Sequence, residues 1–524
     1  MATLVIVCYG SHAMQQSIPR NRHGLHALST IAVFLALGVG LAALGGCGGD
    51  PPATSIAPPK PHDGVKLTLS CPDAAFADAI EPMVRSWEVR TGAKVTLTRE
   101  SMTPADATDL GVIPAGQLGF WAEPGHLATL PARFRGGDHP IRWFEFLTAY
   151  SDRLVDWGAQ TQAIPLTGDG FVLVYRADRF NDNVTASDFV AQLRRPLAPP
   201  ATWEQFAEVA EFFAKRDKKP SLPPLPADTE KMFDFFSRVA SSLDRGVLSD
   251  KDLDDPKKDT ERLAFQFAVK TGQPRLRSDG FEVAAAWLAG LHATGCLPTS
   301  GPDDPVAALA ENRAVLALVS LDQLARLPRE NGAVPSRFGI AGVPGARHYF
   351  DPAKNARVEV PGQGTNYVPH FSGGRLGAVR SRCPKPEIAF DLLAEIGGPA
   401  RGAELVATPG LGAGPTRSTH LTPDRLSLWL GYGFDEARSK DLQESLRHYV
   451  GQAVKNPTYG LRGPDRAELT ATAGNALRKL GTGAKPGDTL TEAMTAWTTL
   501  DAKVPDNVNN AKLVRWRQRA AGLN

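Results

Sequence analysis

Residues 65–98 read VKLTLSCPDAAFADAIEPMVRSWEVRTGAKVTLT, and their patterning decides the fold class. The first six, VKLTLS, alternate apolar and polar side chains, the period of a half-buried strand. In 73–90, Phe76, Ile80, Val84 and Trp87 recur at helical spacing on one face, and Gly92 supplies the stop. Pro82 lies inside that run and predicts a kink or a later start, because proline has no N–H to give the ladder. KVTLT at 94–98 alternates again. Strand, helix and strand in this order require parallel strands with a right-handed crossover, and so an α/β sheet rather than a sandwich.

Working outward, DLGVI at 109–113 predicts a third strand, with Gln117 and Trp121 in or just past the loop at its end. AIPLTGDGFVLVYRADRF at 163–180 predicts a strand broken at Thr167-Gly168-Asp169-Gly170 and resumed from Val172 to Tyr175. TWEQFAEVAEFFAKR at 202–216 predicts a helix with Thr202 and Gln205 as a capping box and Trp203, Phe206, Val209, Ala210 and Phe213 as its buried face. Residues 217–229 and 248–260 are charged and proline-rich and read as surface insertions; DKDLDDPKKD within the second lacks the glycine and terminal glutamate of a calcium loop. Further strands are predicted at 314–319, 338–343 and 376–379, a helix at 386–397, and mostly amphipathic helix over 440–500 with loops at 456–464 and 481–488. No fixed-period repeat is present.

The chain has 524 residues, of which 42% are hydrophobic, enough for two lobes with packed cores and too many for disorder. Without residues 1–46, Lys plus Arg and Asp plus Glu balance at 56 each, which excludes the basic footprint of a nucleic-acid partner. Residues 27–44 form the one long apolar run, preceded by Arg20 and Arg22 and by no acid, as in a secretory signal. Met14 is an alternative start to Met1. Leu44-Gly45-Gly46-Cys47 matches the bacterial lipobox, so Cys47 is expected to carry a lipid. The five prolines in 48–64 describe an extended tether. These features predict a lipid-anchored protein on the periplasmic or extracytoplasmic face, in either membrane of a two-membrane cell. Cys71, Cys296 and Cys383 allow at most one disulfide, and buried small hydrophobes are the simpler reading.

The order of these pieces resembles the family-1 extracellular solute-binding proteins of ABC importers, the maltose-binding-protein-like group. VKLTLS, the helix ending at Thr91-Gly92 and KVTLT resemble that family's opening unit. The stretch 113–131, with Gly119, Ala122-Glu123, Gly125 and Leu130-Pro131, is similar to its strand-three loop and exposed helix. AIPLTGDGFVLVYRADRF resembles its crossing strand, PPATWEQFAEVAEFF its Pro-Thr-Trp helix, and 311–318 its short helix and strand. Residues 384–396 and Gly414-Pro415-Thr416-Arg417 resemble its return helix and the turn after it. The resemblance implies a two-lobed periplasmic-binding-protein-like fold of type II with hinge-linked lobes. Lobe I would comprise 65–165 plus 338–400 and lobe II 166–337 plus 401–505, after the signal (1–46) and tether (47–64) and before a tail at 506–524. The chain would cross near 165–169, return near 338–344 and cross again near 400. It implies a small polar solute, a carbohydrate first, captured between the lobes, with permease and ATPase on separate chains and the binding protein a monomer. Ser320-Leu321-Asp322 stands where many sugar binders carry an aromatic pair.

Asp169 leads the candidate ligand residues, because an acid between Gly168 and Gly170, after Thr167, sits where the chain must bend. The competing reading is a turn aspartate that bonds nearby backbone. Trp121 offers a ring face for a pyranose or, equally, a core side chain. Asp73 and Gln117 follow strands one and three, and Asp73 also suits a helix cap. Ser372, Gly373 and Gly374 would let backbone amides approach a ligand, or form an ordinary turn. Asn366, Tyr367, Ser320 and Asp322 are further candidates, and Trp429 and Tyr432 a second stacking wall. The chain has no GxSxG, HExxH or P-loop, Gly410-x-Gly412-x-Gly414 does not open a helix of the right kind, and no two histidines stand at i, i+4. No catalytic residue, cofactor or metal is expected. The alternatives are a solute-sensing partner of a signalling receptor and a secreted hydrolase.

Overall fold

The computed structural model describes residues 60–248, 265–351, 354–451 and 454–523. The signal, Cys47, the tether up to residue 59 and nearly all of the 248–260 stretch lie outside the described residues. The strands of the two main sheets are β1 (Lys66–Ser70), β2 (Lys94–Thr98), β3 (Leu110–Pro114), β4 (Ala163–Thr167), β5 (Phe171–Arg176), β6 (Leu316–Ser320), β7 (Phe338–Ala341) and β8 (Arg375–Val379). The helices that bear on the site and its packing are α1 (Ala74–Thr91), α2 (Trp203–Asp217), α3 (Thr229–Asp244), α4 (Asp279–Ala293), α5 (Pro386–Ile396), α6 (Pro399–Val406), α7 (Glu436–Val450), α8 (Arg466–Arg478), α9 (Pro486–Asp501) and α10 (Ala511–Ala520).

The opening unit folds as its periodicity requires. β1 lies parallel to β2, with Lys66 opposite Lys94 and Ser70 opposite Thr98, and parallel to β3 on its other side. The Asp73 carboxylate caps α1 by accepting from the Phe76 N–H at 3.1 Å, and Gly92 closes it in the left-handed conformation at φ 85°. The helix starts at Ala74 and runs through Pro82 in one piece, which corrects the later start offered as one reading of that proline. Both ends are fixed and Phe76, Ile80, Val84 and Trp87 are buried, so packing outweighs the one hydrogen bond proline cannot make. β8 then runs antiparallel between β3 and β4, giving the order β2-β1-β3-β8-β4. α1 and α5 pack together, and α5 and α6 cover β4.

The second sheet has three strands in the order β6-β5-β7, with β5 antiparallel to both neighbours. β4 belongs to the first sheet and β5 to the second, so the chain changes lobes at 168–170, against an expected crossing near 165–169. The return expected near 338 does not occur there. Val174 pairs with Ile340, which keeps β7 in the second sheet, and the chain re-enters the first sheet only through 372–375. An apolar run such as FGIAGV suits either sheet, so only its partner could place it. The crossing expected near 400 is also later: α6 still packs on β4, while α7 packs on β5 and β7.

α2 is capped by Thr202, whose hydroxyl accepts from the Gln205 N–H at 3.2 Å, but Gln205 reaches back to the Ala201 N–H, one residue beyond a true capping box. Its predicted face is buried throughout. α8 and α9 pack on α3 and α4, with the predicted loops between helices. The expected C-terminal tail instead contains α10, which buries Leu513 and Trp516 and ties down through Arg515 and Arg519 to Glu123 and Arg517 to Asp465. Cys71, Cys296 and Cys383 are free and buried, and burial pushes the Cys71 thiol up to about 12.

Candidate functional site

Three linkers meet between the sheets. Gly168 and Gly414 exchange backbone hydrogen bonds of 3.0 and 2.9 Å, and a Cβ on Gly414 would stand 2.0 Å from the Asp169 carbonyl oxygen, so only glycine fits there. The Asp169 carboxylate, 8% exposed, accepts from the Tyr150 hydroxyl at 3.1 Å on one oxygen. Its other oxygen accepts from the Ser372 and Gly373 N–H groups at 3.2 and 3.0 Å. The first candidate ligand group is thus committed to bracing one crossing against another, the turn-aspartate role extended across the hinge.

A cavity of about 690 Å³ opens beside this hinge. Pro72, Asp73, Pro114 and Gly116 border it at the C-terminal ends of β1 and β3, with Ser320 at the end of β6 and Asp322 just beyond it. Ligands of open α/β sheets bind at such carboxyl ends, where loop amides and helix N-termini gather. Another cavity of about 700 Å³, around 144–153 and 450–463, touches no strand of either main sheet. Of the predicted residues, the structure brings Asp73, Gly168, Asp169, Ser320, Asp322, Ser372, Gly373 and Gly374 to the first cavity. Asp73 pairs there with Arg375, whose Nε lies 3.0 Å away; burial opposes ionisation, but the Arg375 hydrogen bond and the cap hold the carboxyl below its usual range. The Ser320 hydroxyl bonds Asp322 and Gln323 and caps the short helix Leu321–Leu324.

Seven predicted residues do not line it. Thr167 is fully buried behind the wall, its hydroxyl accepting from the Arg375 N–H at 3.1 Å, and Gln117 is exposed elsewhere. Trp121 is 3% exposed and its ring lies under the Arg380 guanidinium, so the core reading was the right one. Trp429 and Tyr432 stack on each other in the interior, and Trp429 donates to the His420 carbonyl at 3.1 Å. Tyr367 donates to the Tyr449 carbonyl, and the Asn366 amide to the carbonyls of Ser242 and Arg245. Rings enclosed on all sides have no face left for a solute.

Other lining residues were missed. The segment 222–226, expected as part of a surface insertion, forms a cavity wall, and α3 contributes Glu230, Lys231, Asp234, Phe235 and Arg238. Arg238, 3% exposed, donates to the His370 carbonyl at 2.8 Å and the Tyr449 hydroxyl at 2.9 Å and lies 3.8 Å over the Phe171 ring. It also reaches the Ser372 hydroxyl at 3.4 Å, which in turn bonds Asp234. Arg466 of α8 lies against Gly116 and pairs with Glu230. Asp234 and Arg238 at i, i+4 inside an apolar helix were the one legible signal.

Burial raises the Asp234 carboxyl from 3.8 to about 6, more than nearby Arg238 and Ser372 lower it. The folded state therefore binds this proton more tightly than the unfolded chain. Its stabilisation is complete below about pH 4 and is lost as pH rises through about 6. Asp234→Asn is expected to flatten the loss of stability between pH 4 and 7, measured as urea midpoints; Asp501, raised to a similar value, remains as the residual slope. A difference curve without a bend near pH 6 would refute the assignment.

Two α/β lobes, a braced hinge and a cavity at the strand ends define a cleft-type binding protein. The family model of the bacterial extracellular solute-binding proteins matches residues 93–426, more than half of the chain, and the chain belongs to that family. No curated protein matches it in sequence. The fold is similar to that of the cyclic α-maltosyl-1,6-maltose-binding protein of Arthrobacter globiformis, with 15% identity, a TM-score of 0.57, and 83% of this chain and 98% of the other covered. It is similar to an ABC transporter solute-binding protein of Agrobacterium radiobacter in complex with ribitol (16%, 0.56, 84% and 100%). It is also similar to the extracellular solute-binding protein of Staphylococcus aureus in complex with maltose (14%, 0.56, 83% and 98%).

Proposed function

We propose that this chain is a lipid-anchored solute-binding protein that captures a carbohydrate or polyol in the hinge-side cavity and delivers it to an ABC importer, without chemistry of its own. The observation that carries the reading is the cavity's position: the C-terminal ends of β1, β3 and β6 converge on it, and all three hinge linkers border it. Closure of the lobes about that hinge would bury the solute and signal occupancy to a permease and ATPase on other chains. Family membership and structural neighbours whose ligands are sugars and polyols support it. Thermal-shift titration of the purified chain with mono- and oligosaccharides and polyols is expected to give a saturable stabilisation by at least one. Silence across the panel, with a response to amino acids or metal ions instead, would overturn the carbohydrate reading. Lipidation of Cys47 is tested separately: Cys47→Ser is expected to release the protein from membranes, and continued retention would refute the anchor.

A further inference from the structure

One stretch of the cavity lining is apolar while the groups around it are polar. The side formed by the first lobe and the hinge presents Asp73, Arg375 and Ser372. The side formed by the second lobe carries Glu230, Lys231, Asp234 and Arg238 of α3 as well, but one stretch of it, Leu222-Pro223-Pro224-Leu225-Pro226 with Phe235 and Leu318 beside it, is apolar. Leu222 is taken up by the core, but Pro223, Pro224, Leu225, Pro226, Phe235 and Leu318 each keep part of their surface open. Three prolines in a run of five carry no N–H, so this stretch has little to donate to a solute hydroxyl. A hydroxyl pressed against it gives up its water partners and gains none, a net loss. An apolar group placed there gains from every ångström of surface it removes from water. Proline also fixes its own backbone, so the wall needs no ordering when a ligand arrives. No tryptophan or tyrosine lines the cavity among the described residues, so this wall is not a stacking platform of the kind sought at Trp121 or Trp429.

Resting on the reading of this cavity as the solute site, we infer that the solute is amphipathic: a polyhydroxyl head that faces the first lobe and hinge, joined to an apolar alkyl or aryl body that lies on the 222–226 wall. A simple glycoside with a hydrophobic aglycone has this chemistry, and a free hexose or a linear polyol does not. The head would meet the Asp73–Arg375 pair, and the body would cover Leu225 and Phe235.

The test is calorimetric titration of the purified full chain with methyl, butyl, hexyl and octyl β-D-glucosides and β-D-maltosides, all below their micelle concentrations, beside glucose, maltose and ribitol. In at least one series affinity is expected to rise about fourfold for each methylene that reaches the wall. Leu225→Asp is expected to flatten that rise, and Phe235→Ser provides the same measurement should Leu225→Asp fail to fold. Free sugars or polyols that bind with glycosides no tighter, or an affinity independent of chain length, overturn the inference and leave solute capture standing. A rise that survives both substitutions places the alkyl chain elsewhere and also overturns it. Silence of every head and every glycoside overturns this inference and the carbohydrate reading together.

Discussion

Asp169→Ala is expected to cost about 3 kcal/mol of stability and to loosen the hinge. The carboxylate accepts three hydrogen bonds at once, from Tyr150 and from the Ser372 and Gly373 amides, in a nearly water-free setting. Alanine leaves those donors buried without an acceptor, at about 1–3 kcal/mol for each group that water cannot reach. Relaxation of the 372–373 turn towards the cavity recovers part of the loss, so the sum is not taken in full. Asp169→Asn separates charge from geometry. With its oxygen towards the two amides and its NH₂ towards Tyr150, asparagine keeps both amide bonds but robs the Tyr150 hydroxyl of its acceptor, so about 1–2 kcal/mol is expected. Equilibrium urea unfolding of the three proteins gives the order wild type, Asn, Ala. Equal losses for Asn and Ala would show that the amides at 372–373 are not held by this group. The brace also joins two of the chain crossings, so Asp169→Ala is expected to weaken solute binding beyond its effect on folding.

The strands and helices were legible where one face alone is buried. β1, α1, β2 and α2 could be read from spacing because alternation and helical periodicity report a one-sided environment directly. Connectivity was less legible. FGIAGV at 338–343 is apolar on both faces and has no periodicity that tells one sheet from the other, so its placement waited on its pairing with β5. The hinge at Gly168-Asp169-Gly170 was visible because two glycines around an acid cannot continue a central strand. What could not be seen was that the acid's oxygens are spent on residues more than two hundred positions away. The aromatic candidates failed for a related reason: Trp121, Trp429 and Tyr432 look the same in sequence whether they stand in a cleft or under an arginine. The cavity wall at 222–226 was hidden by its charged flanks, Lys218-Lys219 on one side and Asp228 on the other, which gave the whole stretch the composition of a solvated insertion.

Arg238→Met is expected to be as damaging as Asp169→Ala, by about 3–5 kcal/mol, and to change the acid–base behaviour of the cavity as well. Methionine matches much of the side chain's length and can still cover Phe171, so lost packing is small. What it removes is the fork that holds the His370 carbonyl and the Tyr449 hydroxyl, together with the positive charge beside Asp234 and Asp169. Taking one partner from a buried charged cluster leaves the others uncompensated, which is why such losses reach several kcal/mol. Asp234 then has its own escape. Arg238 lowers its pKa, so without the arginine the value moves above about 6, and near neutral pH the carboxyl keeps its proton and sheds the unfavourable charge. The loss from Arg238→Met should therefore be greater at pH 8 than at pH 6, whereas lost packing alone, which does not titrate, gives the same loss at both. Arg238→Lys retains the charge but not the planar fork, and falls between the two. Adding Asp234→Asn to Arg238→Met removes the stranded carboxylate and is expected to restore part of the stability at pH 8 and little at pH 6. Urea midpoints of the four proteins at the two pH values decide it: a loss that is the same at both would mean that Arg238 serves α3 as a packed side chain, with no electrostatic hold on the hinge.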